Sequence, residues 1–228
     1  MIEPLVELFA ANIAFVGSHF AMSHPLRAPM VQALGERGFQ ATYSLVSLAA
    51  FVWVILAYQA APTADLSGSG EAGWIVATIV MLPALVLLAG SFSGNPALPL
   101  PGAKALAGAQ AAAGPRGVFR VTRHPMMWAF GLWALSHIIL LWSWRSVITA
   151  GAIGLLALLG AHLQDRKKQT LMGDSWKQWE SRTSYWPRFG QLVRVGPLCW
   201  VLGLMLWVLI SWAHWPLAGV PAGIWRWF

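Results

Sequence analysis

About six stretches of roughly 20 mostly apolar residues run through this chain, each long enough to cross a bilayer as a helix. They lie near Pro4–Met22, Ala41–Ala61, Gly73–Phe92, Pro125–Trp142, Ser146–His162 and Gly196–Ala213. Inside lipid no water is available to the backbone, so each segment must satisfy its own N–H and C=O groups, which a helix does. The expected fold class is therefore all-α, a polytopic membrane helical bundle of about six transmembrane helices. No repeat and no long break divides the sequence, so residues 1–228 read as a single transmembrane domain. Charged residues support this: they make up 10% of the chain, far below the ~25% of soluble domains. The first stretch has no basic leader and no small-residue cleavage site, and reads as a retained span.

Charge placement then sets an orientation. The loops after the first, third and fifth spans hold Arg27, Arg37, Lys104, Arg116, Arg120, Arg123, Arg166, Lys167, Lys168, Lys177, Arg182, Arg188 and Arg194. The opposite side has only Arg145 and Arg226. By the positive-inside rule the basic loops are cytoplasmic and both termini are outside. In a bacterium this is a multi-pass protein of the inner membrane. Trp142, Trp144, Trp212, Trp215, Trp225 and Trp227 would form the outer aromatic belt. The net charge of +7 thus serves topology and lipid headgroups; no nucleic-acid partner is expected.

Two basic loops differ in character. Ser93–Gly114 is rich in Pro, Gly and Ala and is expected to be irregular. Asp165–Arg194 interleaves cations with Leu171, Met172, Trp176, Trp179, Tyr185 and Trp186, a pattern that predicts a cytoplasmic interfacial helix lying on the membrane.

Chemistry rests on the histidines. His137 shares a helix face with Phe130 and Trp133, and an ionisable ring inside a span is either functional or held neutral by a neighbouring helix. His19 continues a polar stripe from Asn12 to Ser23 that must face the bundle. Two histidines on separate spans, without thiolates or an inward carboxylate cluster, suit bis-imidazole ligation of haem iron better than zinc. Their depths differ by about 9 Å, counted from Arg27 and Arg123 at 1.5 Å per residue. Tilt must absorb that difference, or else His162 or His124 becomes the partner of His19. His124 precedes Pro125, the expected first residue of a helix, and about 140° of helical rotation separates it from His137. Arg123 and His124 are therefore assigned to an anion at the helix mouth, a lipid phosphate or a haem propionate. His162 has Asp165 one turn on, an ordinary local pair, and His214 reads as an interface anchor.

Other chemistries lack their residues. There is no P-loop, Rossmann fingerprint, Gly-x-Ser-x-Gly or His-Glu-x-x-His. Cys199 is alone, so neither an internal disulfide nor a cysteine metal site can form. Of the acidic residues only Glu7 lies inside a predicted span, which argues against a carboxylate proton relay.

These residues resemble a known set. Ser18-His19 with Leu26-Arg27, Gly35-Glu36-Arg37, Val121-Thr122-Arg123-His124-Pro125, Ser136-His137 and Asp165-Arg166 are similar to the NnrU family of bacterial membrane proteins. The same set looks like the plastid zeta-carotene isomerases, haem b enzymes of carotenoid synthesis. That resemblance implies haem b as cofactor with His19 and His137 as its ligands, and cis-trans isomerisation of a lipid-soluble polyene. Where those enzymes have a cysteine three residues before the later histidine, this chain has Ala134. The NnrU name itself implies a link to nitrogen-oxide metabolism. A weaker resemblance joins Arg123-His124-Pro125 and the segment Leu171–Arg188 to isoprenylcysteine carboxyl methyltransferases. It implies the alternative of a methyltransferase-like, lipid-binding membrane protein without haem.

Overall fold

The computed structural model describes residues 3–98 and 102–228; Pro99, Leu100 and Pro101 of the proline-rich loop lie outside them. The described chain is all-helical: α1 (Pro4–Ser23), α2 (Arg27–Ala60), α3 (Gly70–Gly90), α4 (Ala103–Ala113), α5 (Pro125–Leu140), α6 (Trp144–Met172), α7 (Asp174–Arg182) and α8 (Pro197–Ala218). Five of these, α1, α2, α3, α6 and α8, are long and apolar enough to cross a membrane. Shorter α5, with 16 residues, is the sixth apolar helix.

Packing places the membrane helices in a row. α2 lies on α1, α1 on α6, α6 on α5, α5 on α3 and α3 on α8. The outermost helices bury little: only Phe39, Val54 and Ala57 of α2, and only Gly203 and Ser211 of α8. Most of their other apolar side chains are exposed, while Tyr58, Cys199 and Trp200 pack partly against the cores.

Three elements depart from the sequence reading. The second span is the distal part of a longer helix that begins at Arg27 and turns at Gly35, whose φ of 71° and ψ of 169° only glycine adopts without strain. α4 forms inside the segment expected to be irregular, because Ala-Lys-Ala-Leu-Ala-Gly-Ala-Gln-Ala-Ala-Ala is rich in the best helix former. The expected interfacial helix is divided: its first residues extend α6 to Met172, and α7 follows after Gly173. α7 turns Trp176 and Trp179, each 0% exposed, into the bundle rather than toward a membrane surface.

That inward turn builds the main core at one end of the row. Leu87 of α3, Ala107 of α4, Val118, Phe119, Leu132 of α5, Trp176, Trp179 and Val195 pack together there. A smaller core joins Leu8 and Ala11 of α1 to Val54 and Ala57 of α2. At the other ends of the helices, Arg145 donates to the Tyr58 and Ala61 carbonyls at the end of α2, and Arg226 pairs with Glu71 at the start of α3 at 2.6 Å. Both cations on that side thus have partners.

α3 and α8 approach closely at Gly203. A Cβ at Gly203 would sit 2.7 Å from the Cα and 2.8 Å from the N of Val86, backbone atoms that move only if α3 moves. Gly203→Ala is expected to cost about 1–3 kcal/mol by forcing these helices apart. Gly151, where a Cβ would meet nothing within 4 Å, is the control. Thermal unfolding in detergent should fall for the first and not for the second.

Candidate functional site

The entrance of α5 is where the chain gathers its polar side chains. Pro125 opens the helix, with no N–H to leave unbonded, and His124 stands just before it. Thr122 Oγ1 accepts from the His124 backbone N–H at 3.2 Å and donates to the Tyr185 carbonyl at 2.7 Å. The Arg123 N–H donates to the Ser184 carbonyl at 2.8 Å, and the Arg188 N–H to the Val121 carbonyl at 2.9 Å. Trp128 Nε1 donates to the Tyr185 carbonyl at 2.8 Å. Residues 184–188 are therefore stitched along residues 121–128.

Asp165, projecting from α6, meets both residues of the Arg-His pair. Arg123 Nε donates to Oδ1 and Oδ2 at 3.1 and 2.9 Å, and Nη2 reaches Oδ2 at 2.5 Å. His124 Nε2 donates to Oδ1 at 2.8 Å. Arg123 Nη2 also reaches Glu180 of α7 at 3.4 Å, whose other oxygen accepts from Gln169. The Arg123, His124 and Asp165 side chains are 12%, 0% and 7% exposed, so this network is screened little by solvent. His124 Nδ1 faces the interior with no partner among the described residues.

Tyr185 closes the cluster. Its ring lies 5.8 Å from His124, 6.0 Å from Trp128 and 6.4 Å from His162, with the Arg123 guanidinium 5.7 Å above it. Burial, and then the Asp165 carboxylate, push its phenol above the ordinary value. It stays protonated and donates to the Leu158 carbonyl at 2.7 Å.

Arg123 and His124 do meet an anion at the helix mouth, and it is the chain's own carboxylate. Asp165 pairs with them rather than with His162, whose ring neighbour is Tyr185. At this mouth Arg123 pairs with both Asp165 and Glu180. Sequence reasoning missed Asp165 and Tyr185 as members of this cluster; the Arg-His dipeptide before Pro125 signalled an anion, expected as a lipid phosphate or a haem propionate and not as a side chain of α6.

The membrane histidines stand apart from this cluster. His19 Nδ1 lies 2.7 Å from the Phe15 carbonyl, and His137 Nδ1 2.8 Å from the Trp133 carbonyl. A carbonyl only accepts, so each Nδ1 carries a proton; in the neutral ring Nε2 then keeps its lone pair for another partner. Phe15 and Tyr43 flank the His19 ring, at 4.4 and 5.5 Å; Trp133 and His214 flank the His137 ring, at 4.3 and 6.3 Å. His214, which the sequence reading set aside as an anchor, has the same arrangement, with Nδ1 2.7 Å from the Ile210 carbonyl.

α6 acts as a ruler for their depth. Phe20, next to His19, lies at Gly160, whereas Ala134, three residues before His137, lies at Gly154. At 1.5 Å per residue along roughly parallel axes, His19 and His137 differ by about 12 Å in level, and His162 is close to the level of His19. Among the described residues, no group of three or more His, Cys, Asp or Glu side chains could hold a metal ion.

Two curated relatives are similar to part of the chain. The chloroplastic 15-cis-zeta-carotene isomerases of Zea mays and Arabidopsis thaliana are 37% and 36% identical to it over 73 residues, a stretch covering 31% of this chain and 19% of each relative. The chain therefore matches less than a fifth of the length of these isomerases. No solved structure matches it. The NnrU protein family, by contrast, matches over residues 7–222. With the apolar helices, the Arg-His-Pro entrance of α5 and the two inward histidines all inside that range, the chain belongs to the NnrU family.

Proposed function

We propose that this protein is an integral membrane isomerase acting on a lipid-soluble polyene. The similarity to the 15-cis-zeta-carotene isomerases carries the reading. The row of helices suits such a substrate, because α1 and α5 both pack on α6 and a polyene held beside them would enter from the bilayer. In a bacterium the protein would lie in the inner membrane, with its basic loops cytoplasmic and both termini outside.

His137 and His19 are proposed as ligands of haem b. The donor chemistry fits: each Nδ1 is held by a carbonyl, which fixes the ring and leaves Nε2 free, the arrangement that orients a ligating imidazole. Trp133 and Phe15 pack on these rings. Haem bound there would supply a redox-active iron able to lower the barrier to rotation about a conjugated double bond. The roughly 12 Å difference in level makes His214 or His162 the residue to compare with His19 as second ligand. A nitrogen-oxide-linked haem protein is the second reading, favoured by the family name alone.

Two measurements separate these statements. In cells that accumulate 15-cis-zeta-carotene, expression should convert the 15-cis bond, read by chromatography; unchanged carotenoid would remove the isomerase reading. Separately, the purified protein should show a Soret band that His137→Ala abolishes. Loss of the band in His19→Ala, His162→Ala or His214→Ala names the second ligand. A colourless protein from haem-replete cells would remove haem and leave the isomerase question open to the first measurement.

A further inference from the structure

The end of the bundle that holds the α5 entrance has two adjoining hollows of opposite character. The first, about 500 Å³, is lined by Arg116, Arg120, Arg182 and Arg188, with Thr183 and Gln191. The second, about 430 Å³, is lined mainly by apolar groups, among them Gly90, Ala109, Val118, Phe119 and Cys199. They meet at Ala113, Gly114 and Arg116, which line both.

These four arginines have no carboxylate partner among the described residues, and neither have Arg37, Arg166 and Arg194; what sets the four apart is that they line the same hollow. Arg27, Arg123, Arg226 and Lys177 each pair with a carboxylate, and Arg145 caps α2. Among the described residues, none of Arg116, Arg120, Arg182 and Arg188 has a carboxylate within ion-pair distance. Four exposed guanidinium groups around one hollow favour an anion between them, and phosphate matches their forked donors. An apolar chamber joined to such a site gives an attached hydrocarbon chain a place to lie. We infer that this double hollow binds a phosphate-headed amphiphile, with its head among the four arginines and its chain against Phe119, Val118 and Cys199. The site is separate from His19 and His137 and does not depend on the reaction proposed above.

Cys199 supplies the probe, since it is the single cysteine of the chain and lines the apolar chamber. The full-length protein in detergent is treated with a maleimide in the presence of phosphatidic acid, phosphatidylcholine of the same chains, or inorganic phosphate. Phosphatidic acid should slow labelling on the order of tenfold, as expected for charge-assisted bonds to its head. Phosphatidylcholine and inorganic phosphate should leave the rate unchanged, the first for want of an accessible anionic head and the second for want of a chain. Arg120→Glu with Arg188→Glu should abolish the protection, and Arg120→Lys with Arg188→Lys should retain much of it. Equal protection by phosphatidylcholine, protection by inorganic phosphate alone, or protection that survives the charge reversal would each overturn the assignment. If Cys199 is unreactive in the free protein, native mass spectrometry of retained lipid makes the same comparison: selective retention of phosphatidic acid, lost on charge reversal, is the expected result.

Discussion

Asp165→Ala is expected to destabilise the protein by about 3–5 kcal/mol, the cost of removing one partner from a buried ionic network. Asp165 accepts from Arg123 at two atoms and from His124. Without it, the 12%-exposed guanidinium would keep Glu180, at 3.4 Å, as its one carboxylate among the described residues, beside the Tyr185 ring. His124 would lose its one side-chain partner, with its other nitrogen already buried and unbonded. Asp165→Asn should fall between the two, since it keeps the shape and one acceptor but loses the charge. The comparison is Glu36→Ala: its pair with Arg27 at 2.9 Å is 57% exposed on the Glu36 side and should cost less than about 1 kcal/mol. Detergent melting followed by tryptophan fluorescence measures both. Equal losses at Asp165 and Glu36 would show that the network is not screened from water as its burial implies.

Trp176→Ala should cost a similar amount, about 3–5 kcal/mol, by leaving a large cavity at the main core. The indole is fully buried, within a cluster that joins α3, α4, α5 and α7. Its Nε1–H, like that of Trp179, has no hydrogen-bond partner among the described residues. Phenylalanine removes that unsatisfied donor while keeping most of the apolar area, so Trp176→Phe should cost much less than Trp176→Ala. A loss as large for phenylalanine as for alanine would mean that the donor has a partner, such as a buried water. The same melts decide it, and the expected order is wild type, Trp176→Phe, then Trp176→Ala.

The membrane helices were legible because hydropathy over about 20 residues depends on composition and not on partners. The start of α5 was legible for a local reason as well: proline favours the first helical position. Where partners decide, the sequence was silent. Asp165 sits 41 residues from His124, and its near neighbour His162 offered a plausible local pair that the fold does not use. His214 lies on the last helix, and periodicity places it on a face without saying which helix faces it. α4 was hidden by the prolines beside it, and the tryptophans of α7 by the cations around them, which made an inward-turned helix look like a surface one. The polar stripe on α1 was read correctly, with Asn12 buried at 2%, because a polar group in a span can face only protein.

The row of helices has a consequence for how the chain is assembled. α2 and α3 are consecutive in sequence yet lie near opposite ends of the row, with α1, α6 and α5 between them. During synthesis the α1–α2 pair is complete long before its neighbour exists, and α3 and α5 can pair without it. Until α6 is inserted, the membrane holds two separate helix pairs from one chain, joined only by a loop. α6 then closes the gap and, in the same step, delivers Asp165 to an arginine and a histidine made earlier. A ribosome halted before Trp144 would leave the two pairs without the helix that joins them, and a chain cut in the α2–α3 connection would retain the α1–α6 packing that rejoins them.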